Sequence, residues 1–97
     1  MIFQPHRYSR TENCIKQFIE VFSNIDKIII TETYSGGEKK TRFTAFYLFK
    51  KLREKGINCK YVKDIKKIPM KLKSFFSEGD IVLIQGAGNI SQVIKLL

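Results

Sequence analysis

The stretch Lys27-Ile28-Ile29-Ile30-Thr31 decides the fold class. Three consecutive isoleucines are β-branched, and such side chains fit a pleated strand. A strand with one wet face alternates apolar and polar residues, and this one does not. It therefore reads as a strand covered on both sides, which is the place of a strand in a parallel sheet flanked by helices.

Working outward, helical periods lie on either side of it. Residues 11–23 carry Ile15, Phe18, Ile19 and Phe22, the spacing of one helix face, and Ser9 followed by Glu12 fits a capping box at its start. Residues 40–55 return to helix. Phe43, Phe46, Tyr47 and Phe49 mark its broad apolar side, read as core, and Gly56 stops it. Met1 to Gln4 reads as the tail of a strand ended by Pro5, because proline removes a ladder donor. Beyond the second helix come a weaker strand over Asn58 to Val62 and a short helix over 69–77 with Pro69 in its first turn. A turn at Gly79-Asp80 leads to an apolar strand over Ile81 to Ile84. A last helix over 89–97 directs Ile90, Val93, Ile94 and Leu97 inward. The order β-α-β-α-β-α-β-α predicts an α/β, Rossmann-like parallel sheet with helices on both faces.

With 97 residues the chain is one domain, 1–97, and its 43% hydrophobic content predicts a folded core. The formal net charge of +9 permits nucleic acid, an anionic membrane or an anionic substrate, and by itself selects none. The lysines and arginines of residues 39–55 and 60–73 read as solvated faces, without the aromatic motifs of nucleic-acid modules. Cys14 and Cys59 stand in no metal-like spacing and read as two buried free thiols of a reducing compartment. No metal site is predicted. No apolar run approaches the roughly 18 residues of a membrane span, and no signal-peptide pattern is present. The expectation is a cytoplasmic protein without membrane or nucleic-acid partners.

Ligands of parallel α/β sheets bind at the carboxyl ends of the strands, so the strand-to-helix junctions are the places for chemistry. The first junction is His6-Arg7-Tyr8-Ser9-Arg10. Cations in a first helical turn oppose the helix dipole, at a cost of roughly 0.3–1 kcal/mol each. They make sense where free amides, dipole and guanidiniums converge on one carboxylate or phosphate. The alternative is that Arg10 pairs with Glu12 or Glu38 on a wet surface. His6 is either a ligand-orienting or a structural residue, and Tyr8 is equally a packing residue. The second junction, Tyr34-Ser35-Gly36-Gly37-Glu38, is either a close backbone approach to a ligand or a plain turn, with Glu38 as a counter-charge. The third, Gln85-Gly86-Ala87-Gly88-Asn89-Ile90-Ser91, is an amide-rich turn suited to an anion or a peptide-like group. It half-matches a dinucleotide fingerprint but lacks the acidic residue about 20 positions later, so dinucleotide binding is not expected.

The stretches FQPHRYSRT (3–11), TYSGGE (33–38) and GDIVLIQGAGNIS (79–91), in this order and spacing, resemble the C-terminal domain of the UDP-N-acetylmuramate–L-alanine ligases, which are Mur ligases of peptidoglycan synthesis. The resemblance covers essentially the whole chain, and the first stretch is its specific part. It implies a Rossmann-like domain of a three-domain enzyme that joins L-alanine to UDP-N-acetylmuramic acid. One domain of such an enzyme holds the UDP-sugar, a central one holds ATP with Mg2+, and this one closes over the site with the amino acid. An acyl phosphate forms on the muramyl carboxylate, and the alanine amine attacks it. The resemblance further implies that Arg7 and Arg10 hold the L-alanine carboxylate, with His6 beside them and Gly86, Ala87 and Gly88 lining the pocket. Tyr34, Gly36, Gly37, Glu38 and Asn89 are the further lining candidates. No residue is expected to be catalytic in its own right.

Departures from the family pattern are the missing Asp-Asp-Tyr-(Ala/Gly)-His-His-Pro segment, a shorter turn after Glu38 and the absence of GxxxxGK[ST]. The UDP-sugar and ATP domains are thus expected to be missing, ATP and Mg2+ to be bound mainly by them, and the chain alone to hold no cofactor and to be inactive. A stand-alone module for small anions, or for nucleic acid, is the other reading.

Overall fold

In the computed structural model, which describes residues 1–86 and 88–96, the isoleucine run is strand β2 (Ile28–Thr31) and each of its residues is buried. Ile28 and Ile30 belong to one apolar cluster and Ile29 to another, so the strand is covered from both sides. Strand β1 (Ile2–Gln4) lies on one flank of β2 and β3 (Cys59–Val62) on the other. Strand β4 (Ile84–Gly86) pairs with the far side of β1, giving the order β3-β2-β1-β4. All three pairings are parallel, with Ile2 opposite both Ile29 and Ile84, and Gln4 opposite Gly86.

Helices α1 (Tyr8–Phe22) and α2 (Ala45–Glu54) cover one face through Phe22, Leu48 and Leu52, which pack on Ile28, Ile30 and Cys59. Helices α3 (Ile68–Phe75) and α4 (Gln92–Leu96) cover the other through Ile68 and Val93, which pack on Ile2, Ile29 and Val62. Short 3₁₀ turns at Ile65–Lys67 and Asn89–Ser91 lead into these two helices. Each fully buried Ile or Leu side chain contributes about 1.5–3 kcal/mol through apolar burial. The alternating α/β order read from the sequence is therefore the observed one.

Several details differ from the sequence reading. Helix α2 starts at Ala45 and not near residue 40, because the Thr44 hydroxyl accepts the Tyr47 amide at 3.2 Å and caps it there. Its core stripe is Ala45, Leu48 and Leu52, not the aromatics: Phe46 is exposed, and Phe43, Tyr47 and Phe49 are half-buried. The compact aliphatic stripe lets the helix approach the sheet. Phe46 and Phe49 pack against Tyr61, Phe43 packs on Tyr47, and Arg42, Lys50 and Lys51 sit 4.9, 5.9 and 5.5 Å from the ring centroids of Phe43, Phe46 and Tyr47. Strand β4 begins at Ile84 and not at Ile81. The register sets Ile84 against Ile2, the first residue of β1, so Ile81 and Leu83 lie beyond that strand and are exposed. Ile94 also faces solvent, because α4 is only five residues long and Val93 alone of them is buried; Leu97 lies outside the described residues. Cys59 is buried but Cys14 only half so, and both are free thiols.

Candidate functional site

The first two junctions are knit together beyond the ends of their strands. The Arg7 amide donates to the Tyr34 carbonyl at 2.8 Å, and the Tyr34 amide donates to the Pro5 carbonyl at 2.9 Å. The His6 and Tyr34 rings stack at 5.6 Å with planes 18° apart. The Tyr34 ring also meets the third junction: a β-carbon on Gly88 would stand 2.4 Å from two of its ring atoms. Tyr34 thus touches both the first and the third junction at the carboxyl end of the sheet.

Arg7 is the single non-glycine residue with positive φ among the described residues, at φ 68° and ψ 144°. That conformation is close to a region reserved for glycine and costs of order 1–3 kcal/mol. It turns the side chain over the second junction, where Nη2 reaches the Gly36 carbonyl at 3.4 Å. Arg10 lies exposed in the first turn of α1. Neither guanidinium has an ion-pair partner within 4.0 Å among the described residues. The alternative pairing of Arg10 with Glu12 or Glu38 is therefore not formed, and both cations are exposed.

Glu38 has a different task. Its Oε1 accepts the amides of Tyr8 at 2.8 Å and Ser9 at 3.2 Å, and its Oε2 accepts the Ser9 hydroxyl at 2.5 Å. Helix α1 is capped from 30 residues away by a carboxylate, not by a Ser9–Glu12 box, and consequently starts at Tyr8, three residues before the expected start. Two of the free amides that the sequence offers to a ligand, those of Tyr8 and Ser9, are taken by Glu38. The Ser9 hydroxyl and amide, the Tyr8 amide and the charge of Arg7 together hold its carboxyl below the usual carboxylate range.

The third junction leans on β1. Gly86 pairs with Gln4, and a β-carbon there would stand 2.7 Å from the Gln4 carbonyl oxygen, so only glycine fits. Asn89 turns its side chain to Gln4 and not into open space. Ala87 lies outside the described residues. Gly37 is exposed and has room around it. The sequence reading did not single out Gln4; its signal was a polar residue closing an otherwise apolar strand.

A cleft of about 690 Å³ opens at this same end of the sheet, between Glu32, Tyr61, Lys67 and Asn89. Burial, with Glu32 nearby, pushes the Tyr61 hydroxyl above its ordinary pKa. A second cleft, lined by Met1, Lys27, Asp80 and Leu83, lies at the amino end of the sheet, away from the three junctions. Among the described residues no group of three His, Cys, Asp or Glu side chains converges as metal ligands would, and no helix is long and apolar enough to cross a membrane.

No protein-family model matches the chain. Curated relatives do. The chain is 34% identical over 96 residues to the UDP-N-acetylmuramate–L-alanine ligase of Clostridium kluyveri, covering 98% of the chain and 21% of that protein. It is 37% identical over 99 residues to that of Bordetella petrii, covering 100% and 21%. It is 34% identical over 98 residues to that of Caldicellulosiruptor saccharolyticus, covering 100% and 22%. The chain spans about a fifth of the length of these relatives. Sustained end-to-end identity of this order, on a parallel α/β sheet with the arginine-bearing junction at its carboxyl end, places the chain in the UDP-N-acetylmuramate–L-alanine ligase family, as a segment of that sequence.

Proposed function

We propose that the chain is the amino-acid-holding, C-terminal portion of an ATP-dependent ligase that joins L-alanine to UDP-N-acetylmuramic acid. The observation that carries this reading is Arg7. A strained backbone is maintained at the mouth of the sheet to present a guanidinium that makes no ion pair within 4.0 Å among the described residues. Arg10 follows one turn into α1. A guanidinium fork fixes the direction of a carboxylate as well as its charge, so Arg7 and Arg10 would orient L-alanine with its amine toward the acyl carbon it attacks. His6, held by its stack on Tyr34, would border the amino acid, and Gly86 and Gly88 would offer backbone groups from the opposite side.

The chain has neither a GxxxxGK[ST] cradle nor a cluster of metal-ligating side chains among the described residues, so ATP and Mg2+ are assigned to the rest of the enzyme. They supply carboxyl activation there. What these residues do is bind, orient and border the nucleophile.

The test is a chimera in which this chain replaces the matching segment of the Bordetella petrii ligase, assayed for phosphate release dependent on L-alanine and UDP-N-acetylmuramic acid. Activity is expected, and Arg7→Ala and Arg10→Ala should each raise the KM for L-alanine about tenfold or more, the worth of a charged hydrogen bond. The KM for the UDP-sugar should stay put. An unchanged L-alanine KM in both variants of an active chimera would rule the assignment out.

A further inference from the structure

Gln4 closes β1 and is 3% exposed, yet its side chain is polar at both ends and uses both. Its Nε2 donates to the Glu32 carbonyl at 3.1 Å and to Asn89 Oδ1 at 2.7 Å. Its Oε1 accepts the Ile90 amide at 3.1 Å. Its backbone meanwhile faces Gly86 across the β1–β4 pairing, at a separation that excludes a β-carbon. The main chain of Gln4 thus grips the first residue of the 86–90 turn, and its side chain grips the last two. Through the Glu32 carbonyl the same amide reaches the residue just past β2, two before Tyr34, whose ring rests on Gly88.

An apolar side chain would fill this position in β1 equally well by size. It would leave the Ile90 amide without its acceptor in a buried place, and Asn89, which is exposed, without its donor. The pairing of Ile2 with Ile29 across β1 and β2 takes no hydrogen bond from the Gln4 side chain. What would change is the setting of the turn relative to the Arg7 side of the mouth.

We propose that Gln4 is a positioning residue: it holds the Gly86–Ile90 turn in register with Arg7 and Tyr34, so that the turn and the guanidiniums meet the same amino acid. The identity of that amino acid rests on the function proposed above. Gln4 acts through the turn and touches no substrate itself.

The experiment is an NMR titration of this chain with L-alanine, together with amide hydrogen exchange, on the wild type, Gln4→Met and Gln4→Glu. In the wild type the amides of Arg7 and of Gly88 to Ile90 should shift with one common midpoint. In Gln4→Met, exchange of the Ile90 amide should quicken tenfold or more while Ile29 and Ile30 keep their protection. Gly88 to Ile90 should lose their response to L-alanine while Arg7 keeps a weaker one. Gln4→Glu should lie between the two, because a carboxylate oxygen still accepts the Ile90 amide and Asn89 can turn its Nδ2 toward the other. A residue that only fills space would give the reverse ranking, with methionine tolerated better than glutamate.

If the wild type shows no response to L-alanine in either group, the amino-acid reading falls, and the role of Gln4 with it. If the wild type responds and Gln4→Met matches it, with Ile90 exchange unaltered, the positioning role alone is overturned. Should either variant lose the protection of Ile29 and Ile30, the other variant decides.

Discussion

The ring of Tyr34 rests on the backbone of Gly88, so close that a β-carbon on Gly88 would stand 2.4 Å from its Cγ and Cδ2. Because the same ring stacks on His6, this one contact joins the first and second junctions to the third. Gly88→Ala must expel the ring and also adopt a φ of 89°. We expect a loss of about 1–3 kcal/mol in urea unfolding. Tyr34→Ala makes room, so the double variant should be more stable than the sum of the two losses predicts. A wild-type midpoint for Gly88→Ala would show that the ring does not rest there.

Glu38 makes the fold sensitive to acid. Its carboxyl is held below the ordinary value, first by the Ser9 hydroxyl and then by the Ser9 and Tyr8 amides and the charge of Arg7. A carboxyl whose folded pKa is depressed stabilises the fold above its unfolded value, about 4.3, and loses that contribution as pH falls through the folded value. Glu38→Gln should therefore be less stable than wild type at pH 7, with the gap closing as the pH is taken down through about 4 toward 2. Unfolding midpoints against pH provide the measurement, and parallel curves for the two proteins would contradict the cap.

The backbone of Arg7 can be separated from its side chain. Arg7→Gly and Arg7→Ala both delete the guanidinium, but only glycine relieves φ 68° and ψ 144°. Arg7→Gly should be the more stable of the two by about 1 kcal/mol or more. Both should lose the L-alanine response. Equal stabilities would mean that the backbone there is not strained.

The packing of α2 is open to a direct comparison. Leu48 is fully buried and Phe46 is 47% exposed, although the aromatic is the larger apolar group. Leu48→Ala should cost about 2–5 kcal/mol, and Phe46→Ala less than half as much. The opposite ranking in denaturant melts would return the core face of α2 to the aromatics.

The run Ile28 to Ile30 was enough to read a two-sided strand, since no strand with a wet face can be built from it. The apolar period of α1 was also legible, and its residues Ile15, Phe18, Ile19 and Phe22 do pack on the sheet. The start of that helix was not. Ser9 and Glu12 satisfy the local rule for a cap, but a stronger acceptor arrives from residue 38, and local spacing carries no trace of it. In α2 the sequence pointed to the aromatics as the core side, and contact with the sheet chose the aliphatic stripe of Ala45, Leu48 and Leu52 instead.

Sequence alone determined the alternating α/β order, the parallel sheet and the family, because these follow from side-chain periods and residue identities that persist whatever the chain touches. Tertiary structure decided what the junctions contain: Glu38 in the helix start, Tyr34 between His6 and Gly88, and Gln4 bracing the last turn. Those contacts join residues about 30 to 86 positions apart. They come into being only when parallel strands bring their carboxyl ends side by side.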